Sequence, residues 1–458
     1  MFVDCSALLV ANPPQRAYGI GAFVLAPDQA TAFFVCGFGD PNRVLAWDGA
    51  ALVDRYDPVL YQADRSSIGV AAGDLDGDGA EEIYVLNTDT FGGRKRLGDH
   101  CFAWRGNGWV DLWALPENAA RTNPYAGRSV LALDRLGDGH YGFLAASYGA
   151  AMQLYESSGG DALQEVAEPS HLAAITGGRS LIALPLVSPP GRLDLFAATE
   201  DGPNCLFVPR GDGDYSEQAG PVGLADRGSH GRGVAALDDG AFGFALVIGN
   251  WRDEHRLFRQ SAPGFFTDIA PPELRRPSAV RTVIVADFDN DGFEEIFFNQ
   301  IDEPNRLFGF RDGAWTRIPI GDAAEPYGLG TGAAVADIDG DGFLELLIAH
   351  GEMGAQPLGF YRVDDGGADN DWLRVAPRTR FGAPARGALV TVVTSDGLRQ
   401  KRVIDGGSGY LCQMEPVAHF GLGKGRTVLS VEVVWPGGTR IILDRPNLRQ
   451  TLTVAYPH

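Results

Sequence analysis

Three stretches of this chain gather acidic side chains at a spacing that suits a hard divalent cation. They are AAGDLDGDGAEEIYVLN from Ala71, VADFDNDGFEEIFFNQ from Val285 and VADIDGDGFLELLIAH from Val335. In each, acids stand at positions 1, 3 and 5 of a tight loop, Gly at position 6 permits the turn, and the carbonyl at position 7 offers a further oxygen. An acid at position 9 completes the set, where an EF-hand waits until position 12, so these loops join strands and not helices. The predicted ligands are Asp74, Asp76, Asp78, Ala80 and Glu82; Asp287, Asp289, Asp291, Phe293 and Glu295; and Asp337, Asp339, Asp341, Phe343 and Glu345. Ala80, Phe293 and Phe343 would contribute only their carbonyls. An all-oxygen set of this kind selects Ca²⁺. Because protein oxygens fill it, the expected role is structural: three calcium ions that relieve repulsion among clustered carboxylates. One such loop could be a solvated acidic turn, but three at matching phase argue against that.

The phase reveals the elements that position these loops. Degenerate copies follow in LALDRLGDGHYGFLAAS with Asp134, around Pro185, and in AALDDGAFGFALVIGN with Asp238, and a seventh lies around Ala26. The anchors 26, 74, 134, 185, 238, 287 and 337 are 48 to 60 residues apart, which fits one four-stranded blade per repeat. Turn sequences agree: Asn107-Gly108 and Asp312-Gly313 supply the positive φ of short hairpins. The expectation is an all-β chain, a seven-bladed β-propeller over residues 1–365 followed by a small β domain over 366–458. Phe2-Val3-Asp4 repeats the outer-strand pattern of Phe266-Thr267-Asp268. Laid beside the strand near Gly359 to Val363, it would join the last repeat and cover an exposed edge. A solenoid, the other repeat architecture, would need capping repeats that the sequence lacks.

The same register singles out a second constellation. Six residues before their anchors stand Arg128, Arg179, Arg232 and Arg281, in four consecutive repeats, whereas Ile68 and Thr331 occupy the equivalent places in two others. On inner strands these guanidinium groups would converge on one mouth of the channel, opposite the acidic loops. Like charges so close need acids or an anionic ligand. The predicted site is a pocket for a carboxylate or phosphate lined by the four arginines and Trp251, with His230, Asp253 and Glu254 as candidate proton-transfer groups. Glu200, Asp302, Glu352 and His350 are expected on the same face. A salt-bridge collar between repeats is the competing reading of the same residues.

Composition excludes several classes. The formal charge of -21 opposes a nucleic-acid partner, and no apolar run is long enough for a membrane helix. Among 38 basic residues only Lys95, Lys401 and Lys424 are lysines, so positive charge is nearly all guanidinium. Five scattered cysteines form no CxxC pair, and no nucleophile elbow, P-loop or dinucleotide fingerprint is present. The opening MFVDCSALLVANPP carries an acid and no positive n-region, which predicts a cytoplasmic protein, or a secreted one if a signal has been removed.

The acidic loops with their following apolar strand resemble the FG-GAP or VCBS repeat. NDWLRVAP from Asn370, GALVTVVTSDG from Gly387, DGGSGYLCQMEPVAHFGLG from Asp405 and VEVVWPGGT from Val431 look like the ASPIC/UnbV domain. Together they resemble the architecture of the cartilage acidic protein family. The resemblance implies calcium in the propeller. Through UnbV it also implies a link to natural-product biosynthesis in bacterial relatives. His419, Tyr410 and Trp435 are expected to pack within the small domain. The first functional expectation is therefore an intracellular biosynthetic protein that binds an anionic small molecule at the channel mouth and assists a non-redox cyclisation or isomerisation. The alternative is a non-catalytic, calcium-dependent module that recognises a protein or glycan.

Overall fold

The computed structural model describes residues 1–26, 30–240, 243–364 and 369–457. The expected boundary at 365/366 lies outside the described residues. Among them, the part before residue 365 forms seven four-stranded antiparallel sheets, an all-β, propeller-like arrangement. Six run in chain order from an inner to an outer strand, as in Ala17–Leu25, Ala30–Gly37, Arg43–Trp47 and Leu52–Asp54. The other inner strands are Ser67–Gly73, Gly127–Leu133, Ser180–Leu184, Gly231–Asp238, Val280–Ala286 and Gly330–Ala336. The seventh sheet takes its outer strand from the N-terminus: Phe2–Asp4 pairs antiparallel with Gly359–Val363, with Phe2 opposite Val363. Gly330–Ala336 lies beside Ala17–Leu25, so the first and last sheets are neighbours.

Alternation along the strands builds the core between sheets. Leu131, Leu133, Leu144 and Leu154 of the third sheet meet Leu181, Leu195 and Phe207 of the fourth, all nearly or fully buried. Each such side chain is worth about 1.5–3 kcal/mol of burial. Inner strands are buried on both faces, which is why they read as runs of Ala, Val, Leu and Ile and not as strict alternation.

The C-terminal part forms two further sheets. Asp371–Pro377 lies between Ala418–Gly423 and, in parallel, Thr451–Val454. Leu389–Thr394 pairs with Arg399–Val403 and Val428–Val434, and the latter with Arg440–Asp444. Their facing side chains, including Leu373, Val390, Phe420, Val431 and Trp435, make a separate core. Trp435 is in that core as expected, its indole N–H donating to the Arg378 carbonyl at 2.8 Å. Tyr410 is not: it clusters with residues of the propeller-like part, among them Ile68 and Val130.

Candidate functional site

Inner-strand geometry aims the arginines. Pairing between the first two strands slips by a residue at 127/129 and 231/233 and is interrupted between Val280 and Val283. Such irregularities re-aim the side chain at the break. Arg128, Arg232 and Arg281 stand at these breaks, and Arg179 immediately precedes its strand. All four are buried and line one cavity of about 480 Å³ together with Trp251, as the register predicted. Tyr18, Ile68, Phe91, Glu200, Glu352 and Tyr410 also line it.

The arginines are only partly neutralised. Glu200 bridges two of them, pairing with Arg179 and lying 2.5 Å from Arg232 Nη2, while Glu352 pairs with Arg281. The competing collar reading thus holds for these pairs. Arg128 donates instead to neutral acceptors: Thr88 Oγ1 at 3.1 Å, its neighbour's carbonyl at 3.0 Å and the Phe91 carbonyl. Burial and the other guanidinium charges hold Arg128 and Arg232 below the usual arginine range. Aromatic faces take up part of the charge. The Arg281 guanidinium lies 4.1 Å from the Trp251 ring centre and that of Arg179 lies 4.9 Å from Tyr148.

Proton-transfer candidates do not gather there. Neither His230, Asp253 nor Glu254 lines the cavity. Arg252 at φ +54 sits in the turn that leads to Asp253 and Glu254. Asp253 then caps the Glu254 amide at 2.7 Å, and Glu254 pairs with Arg256 at 2.9 Å and Arg275 at 3.3 Å. His230 is part-exposed, its Nδ1 2.9 Å from Asp201. His350 is also elsewhere, bonded to Glu325 at 3.0 Å and the Pro357 carbonyl at 2.7 Å.

What the register missed is the floor of the cavity. The loop 405–415 leaves the C-terminal part and runs through the channel between the inner strands. Gly406 accepts from the Ala132 amide at 2.8 Å, and Gly409 exchanges backbone hydrogen bonds with Val234 at 2.7 and 2.8 Å. Leu411 accepts from Val70 at 3.3 Å, and Gln413 bonds the main chain of Ile20, Ala22 and Ala72. The Tyr410 ring reaches the arginines, and Arg179 Nη1 donates to its hydroxyl at 3.4 Å. Burial alone would raise this phenol. The four arginines outweigh it and hold Tyr410 below its ordinary value.

A signal for this insertion stands in the sequence. The residue after each collar position is small: Gly19, Gly69, Ser129, Ser180, Gly233, Thr282 and Gly332. A Cβ at Gly19 would stand 2.3 Å from the Leu411 carbonyl, and one at Gly332 would stand 2.9 Å from Cys412 Sγ.

At the opposite end lie the three acidic loops. In each, the sixth-position glycine has positive φ: Gly79 at +91°, Gly292 at +99° and Gly342 at +91°. Its N–H donates to the first acid: Asp74 at 3.1 Å, Asp287 at 2.9 Å and Asp337 at 3.0 Å. The ninth-position acid accepts from the second residue's amide in all three, Glu82 at 2.8 Å, Glu295 at 3.1 Å and Glu345 at 2.9 Å. Ligand oxygens of Asp74, Asp76 and Asp78, of Asp287, Asp289 and Asp291, and of Asp337, Asp339 and Glu345 fall within 4.8 Å of one another. Asp341 accepts from the Phe343 amide at 2.8 Å, as Asp78 does from Ala80 and Asp291 from Phe293.

These residues fit a hard cation. Asp287 Oδ1 is buried without a hydrogen-bond partner among the described residues. Burial pushes Asp74 up to about 7 and Glu345 up to about 9. Sequence reasoning missed one arginine per loop, each directly following an aromatic residue: Trp104, Phe310 and Tyr361. Arg105 lies 2.8 Å from Asp76, Arg311 3.2 Å from Glu295 and Arg362 2.5 Å from Asp339.

The C-terminal part covers these loops. Arg374 lies 3.0 Å from Asp337 and also pairs with buried Glu415, while Arg402 lies 3.1 Å from Glu294. His419 Nε2 is 2.6 Å from Asn290 Oδ1. His419 is therefore an interface residue and not a packing residue within the small domain alone.

Residues 379–458 match the ASPIC and UnbV family, and residues 287–348 match the FG-GAP-like repeat. Among solved structures, a lectin from Burkholderia pseudomallei is 16% identical over 74% of this chain and 94% of that one, with a TM-score of 0.47. YCF48 bound to D1 peptide is 12% identical over 80% of this chain and 95% of that one, with a TM-score of 0.46. At that similarity neither bears on a ligand here. Cartilage acidic protein 1 of Homo sapiens is 43% identical over 98% of this chain and 73% of its own length. The Xenopus tropicalis protein of that name is 42% identical over 98% of this chain and 75% of its own length. These relatives are secreted proteins of the extracellular matrix, which overturns the cytoplasmic expectation; the acidic start of the chain was no guide to compartment. Matched along nearly its whole length to these relatives, with both of their repeat and C-terminal signatures in place, the chain belongs to the cartilage acidic protein family.

Proposed function

We propose that this chain is a calcium-stabilised extracellular recognition module. Its seven sheets act as the blades of one propeller, and its arginine-lined mouth holds an anionic group of a glycan or protein partner. The observation that carries the reading is the charge of the mouth. Four buried guanidinium groups share two carboxylate partners, Glu200 and Glu352, around a cavity of about 480 Å³. Unmatched buried charge is costly and is relieved by an anion that brings its own acceptors. Family membership favours this over biosynthetic chemistry, and the acids that would move a proton, Asp253 and Glu254, are outside the cavity lining. No helix of the described residues is long and apolar enough to cross a membrane.

The three acidic loops hold Ca²⁺ under this reading and serve as fasteners. When bound, the ion neutralises carboxylates that otherwise repel at the seam between the two parts, where Arg374 and Arg402 also converge. Arg128 is the residue to test, because its loss leaves no acid unpaired. A panel of acidic glycans and acidic peptides is offered to the immobilised full chain in calcium, and then to Arg128→Gln. The expected result is binding by the wild type and loss of at least about tenfold in the variant, the worth of a charged hydrogen bond. Wild-type affinity in the variant would remove the mouth from the reading.

A further inference from the structure

We infer that the anion site is shared between the two parts of the chain. Tyr410, delivered through the channel by the loop 405–415, contacts the ligand alongside the arginines, and the group bound is a tetrahedral oxyanion, a sulfate or phosphate ester. This rests on the recognition reading above and narrows it.

Three observations lead there. First, the phenol is at the site and held there. Backbone hydrogen bonds from Gly409 to Val234 and from Val70 to Leu411 fix the main chain on both sides of it, and the ring itself is buried beside the four arginines. Since Arg179 donates to the Tyr410 oxygen, the hydroxyl hydrogen is left to point elsewhere, and the cavity lies beside it. Second, the Nε of Arg232 and the Nε of Arg281 are buried and have no acceptor among the described residues. Buried N–H groups are normally paired, and the cost of leaving one orphaned is relieved by a ligand oxygen. Third, after Glu200 and Glu352 are counted, two positive charges of the collar remain without a collar partner. Asp89 also lines the cavity, but its carboxylate is engaged with the amides of Arg96 and Leu97 and paired with the Arg96 guanidinium at 3.4 Å, outside the collar.

The donor set therefore numbers more than two and comes from different directions: Arg128, Arg232, Arg281 and the Tyr410 hydroxyl. A carboxylate presents two oxygens in one plane and would leave donors unused. A sulfate or phosphate ester presents three terminal oxygens on a tetrahedron and can meet donors arriving from separate strands. Trp251, facing Arg281 and Arg232, offers an apolar wall to whatever carries the ester.

The test is calorimetric titration of the calcium-loaded full chain with inorganic sulfate, inorganic phosphate and acetate, repeated on Tyr410→Phe and Arg128→Gln, with thermal unfolding of each protein alongside. Expected is binding of sulfate or phosphate, at least tenfold weaker binding of acetate, and a roughly tenfold loss in Tyr410→Phe without a change in melting temperature. Tighter sulfate identifies a sulfate ester as the source, tighter phosphate a phosphate ester. Acetate binding as tightly as the tetrahedral ions overturns the proposal, and so does wild-type affinity in Tyr410→Phe. If Tyr410→Phe melts early, Arg128→Gln decides the oxyanion site by the same criterion, and a Tyr410→Phe titration below its melting point decides the phenol. If wild type takes no anion of any kind, both this proposal and the recognition reading fail. If it takes acidic glycans or peptides while Tyr410→Phe does so equally well, only the shared site fails.

Discussion

Arg386 Nε and a Glu81 carboxylate oxygen meet at 2.6 Å with neither side chain exposed, although 305 residues separate them. The pair crosses the boundary between the C-terminal part and the second sheet. Around it, Arg386 donates to the carbonyls of Ala22, Asp405 and Met414, and Glu81 Oε2 accepts from the Val24 amide at 2.8 Å. Each guanidinium nitrogen of Arg386 has an acceptor, so the ion pair fixes the root of the channel loop in one orientation.

Breaking it should be severe. Arg386→Met leaves the Glu81 carboxylate buried without its cation, which costs about 3–5 kcal/mol. Urea unfolding followed by tryptophan fluorescence is expected to register that loss, and the double variant Arg386→Met, Glu81→Gln should recover part of it. A single variant as stable as wild type would mean the two parts are held by other contacts.

Calcium is expected to raise stability in steps. An ion at a hundredfold excess over its Kd contributes about 2.7 kcal/mol per site, so chelation with EGTA should lower the melting temperature markedly. Asp287→Asn should remove one site and leave the other two responsive. Scanning calorimetry with and without calcium checks both points, and an identical melting curve in EGTA would exclude the fastening role.

The channel has no room for a methyl group at Gly19. A Cβ there would stand 2.3 Å from the Leu411 carbonyl and 2.8 Å from that of Ile68, both backbone atoms that cannot rotate away. Gly19→Ala is expected to cost about 1–3 kcal/mol as an overpacked site. It should also expose Tyr410, read as increased quenching of its fluorescence. Gly220→Ala, with open space around it, is the control and should be neutral or slightly stabilising.

His255 should make the fold sensitive to acid. Burial, with Arg306 and Arg256 nearby, pulls its pKa down to about 3. The ring is held neutral, Nδ1 accepting from the Asn250 amide at 3.0 Å and Nε2 lying 2.9 Å from Ser278 Oγ. Between the unfolded value near 6.5 and the folded value the unfolded chain binds more protons. Stability from this group is therefore present above about 6.5 and falls by up to about 1.4 kcal/mol per pH unit below it. His255→Gln should flatten that slope in unfolding measured from pH 7 to pH 4; an unchanged slope would assign the acid sensitivity to other groups.

Much of this was legible one residue at a time. The acids of each loop, the glycine at its sixth position and the apolar strand behind it are local requirements, because a turn of nine residues brings its own side chains together whatever lies around it. The collar was legible for a related reason: repeats of one length put Arg128, Arg179, Arg232 and Arg281 at one height on successive inner strands, so register stood in for distance. Asp253 and Glu254 failed by the same logic. They lie in a turn outside the repeated strands, where a positive φ at Arg252 decides direction and no period predicts it.

By itself, then, the sequence determined the repeat, the acidic loops, the ring of guanidinium groups and the pairing of the N-terminal strand with the last sheet, since each follows from spacing along a regular element. Only the tertiary structure decided what fills the channel and what covers the loops. Tyr410 meets Arg179 across 231 residues, and Arg374 reaches Asp337 from a different sheet, because the C-terminal part docks on the loop face and sends residues 405–415 inward. That docking depends on complementary shape between two surfaces, a space left by small residues at seven positions and a loop of matching length. The small residues recur once per repeat, but the loop that meets them carries no period, so no reading along one strand could have joined the two.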